Sequence, residues 1–175
     1  SGKKIGGKAD FFLGAADAPK ARSRSALDPS AEAPPDPKLL FGAQAYTRRG
    51  CASCHVVAGA GRAIGPDLSA IGDQRGLAYL RQSLVEPAAR VPEGHVVATA
   101  RPKSGAPVRG VRVSEDAFWV HIRDTSGRLH AFRLADLTEL QREAGASLMP
   151  SYGTALSASD VDDVVAYLAS LRGQR

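Results

Sequence analysis

The sequence predicts a mainly α-helical domain with a small antiparallel β-meander inserted into it. Three observations carry that prediction. Apolar residues recur at helical spacing at Leu39, Gly42, Ala43 and Tyr46, and again at Val161, Val164, Val165 and Leu168. Between about 94 and 135 the period drops to two. Before position 36 there is no period at all.

Residues 1–35 are rich in Ala, Pro, Ser and charge, as in Ala31-Glu32-Ala33-Pro34-Pro35, and are expected to form a disordered tail or linker. Phe11-Phe12-Leu13 is the exception, a segment that could dock. The folded domain is expected to span 36–175. Asp36 is a good helix cap and Pro37 suits the first helical position; this helix should stop near Gly50. A second helix should start after Asp73, carry Leu77, Leu80 and Leu84 on one side, and end before Pro87. Strands are expected over 95–101, 108–113, 117–123 and 129–134. Ser104-Gly105, Ser114-Glu115 and Asp124-Thr125-Ser126-Gly127 mark the turns between them. In the third strand Phe118, Val120 and Ile122 alternate with Trp119, His121 and Arg123. The first set is expected to lie against the helical domain near Met149, and the second to face outward. A last helix should begin at Ser157, with Asp160 at the capping-box position and further acids in its first turn.

Composition narrows the function classes. The chain has 175 residues, 43% of them apolar, enough for one proper core. No apolar run approaches the roughly 18 residues that a membrane span needs. The formal charge of +5 comes from 23 Lys and Arg against 18 Asp and Glu, without the dense basic block that nucleic-acid binding would want. Two cysteines are too few for a disulfide-stapled scaffold.

Their placement carries the chemistry. Cys51-Ala52-Ser53-Cys54-His55 has the C-x-x-C-H spacing for covalent haem attachment. Two thiols one helical turn apart reach the two vinyl groups on one porphyrin edge, and the adjacent His55 lies under the iron. A thioredoxin-like pair would follow a strand in a βαβ setting, whereas this motif follows a helix. A structural zinc site would need four ligands, and no other Cys exists. The single methionine, Met149, stands in a loop ahead of the last helix, where its thioether could hang over the haem as sixth ligand. Its competitors for that place are His95, His121 and His130, each on an expected strand. A single Met also often fills a gap in a core.

Phe41 to Tyr46, Cys51 to His55, Gly65-Pro66-Asp67-Leu68, Met149-Pro150 and the segment from Leu156-Ser157 to Leu171 together resemble class I cytochrome c, over residues 38–87 and 137–175. The interval from His55 to Met149 is far too long for a minimal member. With an insertion there, the chain is similar to a subfamily of haem-binding domains that often close large secreted bacterial proteins. The resemblance implies one haem c with His55 and Met149 as axial ligands. It implies that the Pro66 carbonyl accepts a hydrogen bond from His55, that Leu68 packs on the haem edge, and that Gly42 and Tyr46 cross Val164 and Tyr167. Tyr152 and Arg62 are candidates to approach a propionate.

The function implied is single-electron transfer between a dehydrogenase or quinol-linked donor and another cytochrome or an oxidase, in the periplasm or otherwise exported. Two alternatives stand beside it. One is a haem enzyme or gas sensor with an open sixth site; the other is the electron-relay domain of a larger oxidoreductase. The meander is expected to be a docking or shielding lobe that haem ligation does not require.

Overall fold

The computed structural model describes residues 36–173, so the tail expected over 1–35, with Phe11-Phe12-Leu13, lies outside the described residues. Asp36 caps α1 (Pro37–Arg48), its carboxylate accepting from the Lys38 N–H at 2.9 Å, and Pro37 sits at the helix start. The expected second helix is two pieces, a single turn α2 (Ile71–Gln74) and α3 (Leu77–Val85). Arg75 and Gly76 are extended between them, which breaks the helical ladder. In α4 (Ala158–Ser170) the capping box between Ser157 and Asp160 is complete in both directions.

These helices enclose one core, with Ala45, Tyr46, Leu80, Leu84, Val161, Val164, Val165 and Leu168 buried in it. The α1–α4 crossing forms as expected. A Cβ added at Gly42 would stand 2.1 Å from the Asp163 carbonyl oxygen and 2.6 Å from Tyr167 Cβ. Only a residue without a side chain admits so close a crossing. The rings of Tyr46 and Tyr167 pack one turn further along at 5.6 Å.

A two-stranded hairpin, β1 (Val56–Val57) and β2 (Ala60–Gly61), follows the Cys51–His55 segment. The larger sheet holds β3 (Val97–Pro102), β4 (Val108–Glu115), β5 (Trp119–Asp124), β6 (Leu129–Arg133) and β7 (Leu137–Glu143). It is antiparallel throughout, in the order β6-β5-β4-β3-β7. Its first residue, Val97, pairs with its last, Glu143.

Flat, such a sheet would hold its edge strands about 19 Å apart, four spacings of roughly 4.8 Å. Yet β6 and β7 are joined by a single 3₁₀ turn, Leu134–Asp136, which rises only about 2 Å per residue. The sheet must therefore curl. Leu134 N–H donates to the Phe118 carbonyl at 2.8 Å, and Lys103 N–H to that of Asp136 at 2.9 Å, fixing the turn across the curl. Inside it Ala98, Ala100, Val120 and Ile122 are fully buried, with Phe132, Leu134, Leu137 and Leu140 around them.

The protein is accordingly not mainly α. The described residues are 34% helix and 26% strand, with the five-stranded sheet as a second structural body. The expectation failed because the sheet builds its own core. Val120 and Ile122 face the inside of the curl and not the helices, and Phe118 is 73% exposed. Trp119 does face outward, with the Arg133 guanidinium 5.7 Å from its ring. β7 was not expected at all, because Leu137 and Leu140 stand three apart, a helical interval. A register shift opposite Arg101 and Pro102 lets both face the same side of a strand.

If the Gly42 approach sets the helix crossing, Gly42→Ala should cost about 1–3 kcal/mol through overpacking. Gly94→Ala, which meets nothing within 4 Å, should stay within about 0.5 kcal/mol of the parent. Equilibrium denaturant unfolding of the two variants checks this, and equal midpoints would be contrary to it.

Candidate functional site

α1 ends where Gly50 turns left-handed at φ +68°, and the chain enters a 3₁₀ turn over Cys51–Ser53. Cys54 N–H and His55 N–H both donate to the Cys51 carbonyl, at 3.1 and 3.0 Å. That single turn sets the two thiols and the imidazole at one end of α1. The β1–β2 hairpin then reverses the chain through Ala58 and Gly59, both at positive φ. Ala58 pays a backbone cost there, and its N–H is held by Ser69 Oγ at 2.9 Å.

The reversal brings the chain back against its own beginning. Ile64 and Gly65 N–H both donate to the Cys54 carbonyl, at 3.0 and 2.7 Å. Gly65 then passes so near the His55 ring that a Cβ there would lie 2.6 Å from Cε1. One residue on, the Pro66 carbonyl lies 2.8 Å from His55 Nδ1. A carbonyl can only accept, so Nδ1 carries the proton and Nε2 keeps its lone pair free. Burial pushes the His55 pKa down, and the Pro66 contact opposes it without cancelling it. A neutral imidazole of fixed tautomer is what a metal ligand requires.

Cys51, Cys54, His55, Pro66, Leu68 and Met149 all line one cavity of about 470 Å³. The sequence-chosen residues are thus brought together, although Met149 comes from a loop far along the chain. That loop is pinned to α3: Tyr152 N–H donates to the Leu84 carbonyl at 2.9 Å, and Ser151 Oγ to that of Val85 at 2.6 Å. Of the three competing histidines only His95 reaches the cavity. It stands in a 3₁₀ turn, Glu93–His95, and not on the expected strand. His121 and His130 are engaged on the sheet, with Ser114 at 3.0 Å and Asp124 at 2.7 Å respectively. Tyr152, a candidate to approach a propionate, lines the cavity, whereas Arg62 does not.

The cavity suits a large amphipathic ring. Its volume falls in the range of roughly 300–1,000 Å³ typical of cofactor clefts. Ile64, Leu68, Ile71, Leu80, Leu84, Val164 and Leu168 make it apolar inside. Arg49, Arg75 and Arg90, which sequence reading did not single out, also line it. All three are exposed, and none is in a salt bridge among the described residues. They suit the carboxylates that such a ring carries. Tyr46 Oη and His95 Nδ1 are buried without a hydrogen-bond partner, and both residues line the cavity. Burial, the largest effect on it, pushes the Tyr46 hydroxyl up to about 12, so it remains a donor at neutral pH. Burial likewise pushes the Cys51 thiol up, the reverse of what a thioredoxin-like nucleophile needs. Among the described residues no cluster of three or more His, Cys, Asp or Glu could hold a metal ion. The residues present fit haem.

Gly65→Ala should force either the His55 ring or the 64–66 backbone to move. We expect a loss of about 1–3 kcal/mol in denaturant unfolding, together with displaced His55 ring signals in NMR spectra. An unchanged ring environment would refute the steric reading.

Comparison with curated proteins gives no match. The family model for cytochrome c matches residues 41–120, a little under half of the chain, from within α1 into the start of β5. Met149 and α4 lie outside the matched residues. The match contains Cys51, Cys54, His55, Pro66 and Leu68, so the segment that folds around His55 is also the one that carries the family signature. Over those residues the chain is similar to cytochrome c, and the likeness supports haem-based electron transfer.

Proposed function

We propose that the protein is a one-haem electron carrier. Cys51 and Cys54 would form the thioether links, and His55 Nε2 and Met149 Sδ would ligate iron from opposite sides. The observation that carries this reading is the His55 Nδ1–Pro66 contact of 2.8 Å, in a cavity whose lining also includes both cysteines and Met149. Haem supplies the one-electron Fe(III)/Fe(II) couple.

The chain's own residues do the rest. Cys51 and Cys54 would hold the ring covalently, each thiol S–H adding across one vinyl group with sulfur on one carbon and hydrogen on the other. Pro66 holds the Nδ1 proton of His55, which raises the electron-donating power of Nε2. Leu68, Leu80 and Val164 keep water from the interior, and low polarity around a site is one lever on its potential. Arg49, Arg75 and Arg90 balance carboxylates at the mouth. Met149 is favoured over His95 as sixth ligand because it is the chain's one thioether and stands in the cavity-lining loop ahead of α4.

The electron donor would be a dehydrogenase or quinol-linked protein, and the acceptor another cytochrome or an oxidase. Covalent attachment of this type implies an exported, periplasmic location in a bacterium. The domain could equally serve as the relay module of a larger oxidoreductase, and the full-length gene would distinguish a free carrier from a module.

Two experiments test the reading. After co-expression with a haem-attachment system, the denatured protein should retain its pigment through acid–acetone extraction and stain for haem on a gel. Freely extractable pigment would rule out the thioether assignment. Met149→Ala should lower the midpoint potential by on the order of 0.1 V, within the roughly 0.8 V that axial ligands span, and should open the iron to carbon monoxide. A parent protein that already binds carbon monoxide rapidly would favour the gas-sensor or enzyme alternative.

A further inference from the structure

The sheet touches the segment that positions His55, and it does so through two side chains. Arg123, on β5, donates from Nη1 to the Ala63 carbonyl at 2.6 Å. His95, in the turn that leads into β3, lines the cavity beside Gly65, whose backbone pulls the His95 pKa up against the larger downward push of burial. The two contacts straddle Ile64, which is buried and whose N–H is tied to the Cys54 carbonyl. Gly65 is also the residue in tightest contact with the His55 ring, and Pro66 beside it holds the Nδ1 proton.

The His95 turn is itself fastened to the sheet. His95 N–H donates to the Pro92 carbonyl at 2.8 Å, and Arg112 N–H, from β4, to that of Val96 at 2.9 Å. The β body therefore grips the Ala63 carbonyl through Arg123 and sets His95 beside Gly65. Residues 63–66 are otherwise held by the bonds of Ile64 and Gly65 to the Cys54 carbonyl and by the His55 ring, with Arg62 and Leu68 anchored on either side.

We propose that His95 and Arg123 are positioning residues, through which the β unit holds the 63–66 segment against His55 and thereby sets the donor strength of the proximal ligand. The inference rests on the reading of His55 as an iron ligand. It replaces the picture of the β unit as a lobe the haem site does not need. The direction follows from the chemistry. A slack Pro66 carbonyl accepts the Nδ1 proton less well, the imidazole becomes a weaker donor, and Fe(III) loses more stabilisation than Fe(II). The midpoint potential then rises.

Four variants test this: His95→Phe, His95→Gln, Arg123→Lys and, as a control on the same strand as Arg123, His121→Ala. Arg123→Lys keeps the charge, so any shift it causes comes from lost reach and not from a changed field. The first readout is solvent exchange of the His55 Nδ1–H, followed by NMR. It should quicken about tenfold in His95→Phe and Arg123→Lys, the factor that corresponds to one net hydrogen bond. His95→Gln should recover part of the protection, and His121→Ala should match the parent. The second readout is the midpoint potential of the haem-loaded protein, which should move upward in the same order. Unchanged exchange and potential in both His95→Phe and Arg123→Lys would overturn the proposal. So would a His95→Gln variant as fast as His95→Phe. A parent that carries no covalent haem would sink the electron-carrier reading instead, while the exchange measurement would still decide whether the grip exists.

Discussion

A buried imidazole keeps one tautomer and a free lone pair when something holds its other nitrogen, and for His55 that holder is the Pro66 carbonyl 2.8 Å away. The local architecture follows from bringing that carbonyl into place. The chain leaves His55, must reverse at once, and must return within contact distance of the ring it has just placed. Positive φ at Ala58, Gly59 and Gly61 makes the reversal possible. Gly61 passes so close to the His55 carbonyl that a Cβ would lie 2.0 Å from it. The absent side chain of Gly65 does the same on the ring side. The bonds from Arg62, Ile64 and Gly65 back to Ala52 and Cys54 then close the loop on itself.

Around that loop stand two cores with different logic. The helical core gathers α1, α3 and α4 and leaves one side open as the cavity, so Tyr46, Leu80, Leu84 and Val164 serve both packing and lining. The sheet curls around its own apolar cluster, which holds no helix residue. Its ion pairs Arg109–Glu143 and Glu115–Arg142 tie β4 to β7, and Arg112 joins Glu115 from the same strand. The arginines hold the Glu115 carboxyl down to about 2. Being at the surface, these pairs add little to stability individually. The two bodies meet where Arg123 donates to the Ala63 carbonyl.

Much of the helical half was legible because its signals are local. A cap before a proline, a capping box and a C-x-x-C-H run can each be read without knowing what packs on them. Gly42 was read correctly for the same reason, since a glycine on the buried face of a helix points to a close crossing. The sheet resisted reading where its determinants are non-local. β7 is built from Leu, Glu, Gln and Arg, which favour helices, and becomes a strand because β3 offers it an edge. The split between α2 and α3 was equally hidden, since Leu77, Leu80 and Leu84 continue a plausible helical face. In the site, the cavity-lining arginines could not be found from sequence, for Arg90 sits in a loop with no motif. His95 was noticed but placed on the wrong element, because the start of β3 looks continuous with it.

The pairing of Val97 with Glu143 has a consequence for how such a protein assembles and diversifies. Chain entry and chain exit of the β body are neighbours on adjacent strands, so their Cα atoms lie about 5 Å apart. To the helical half, a segment of that size with touching ends is topologically a short loop. Once the sheet has formed, the chain that separates α1 from α4 is effectively much shorter, and the entropy of joining those helices falls accordingly. The contact order felt by the helical core drops in the same way. The same geometry makes the segment a cassette. A different body with neighbouring ends could occupy the position without stretching α3 or the Met149 loop, leaving evolution free to change what grips the 63–66 segment while the attachment motif stays put.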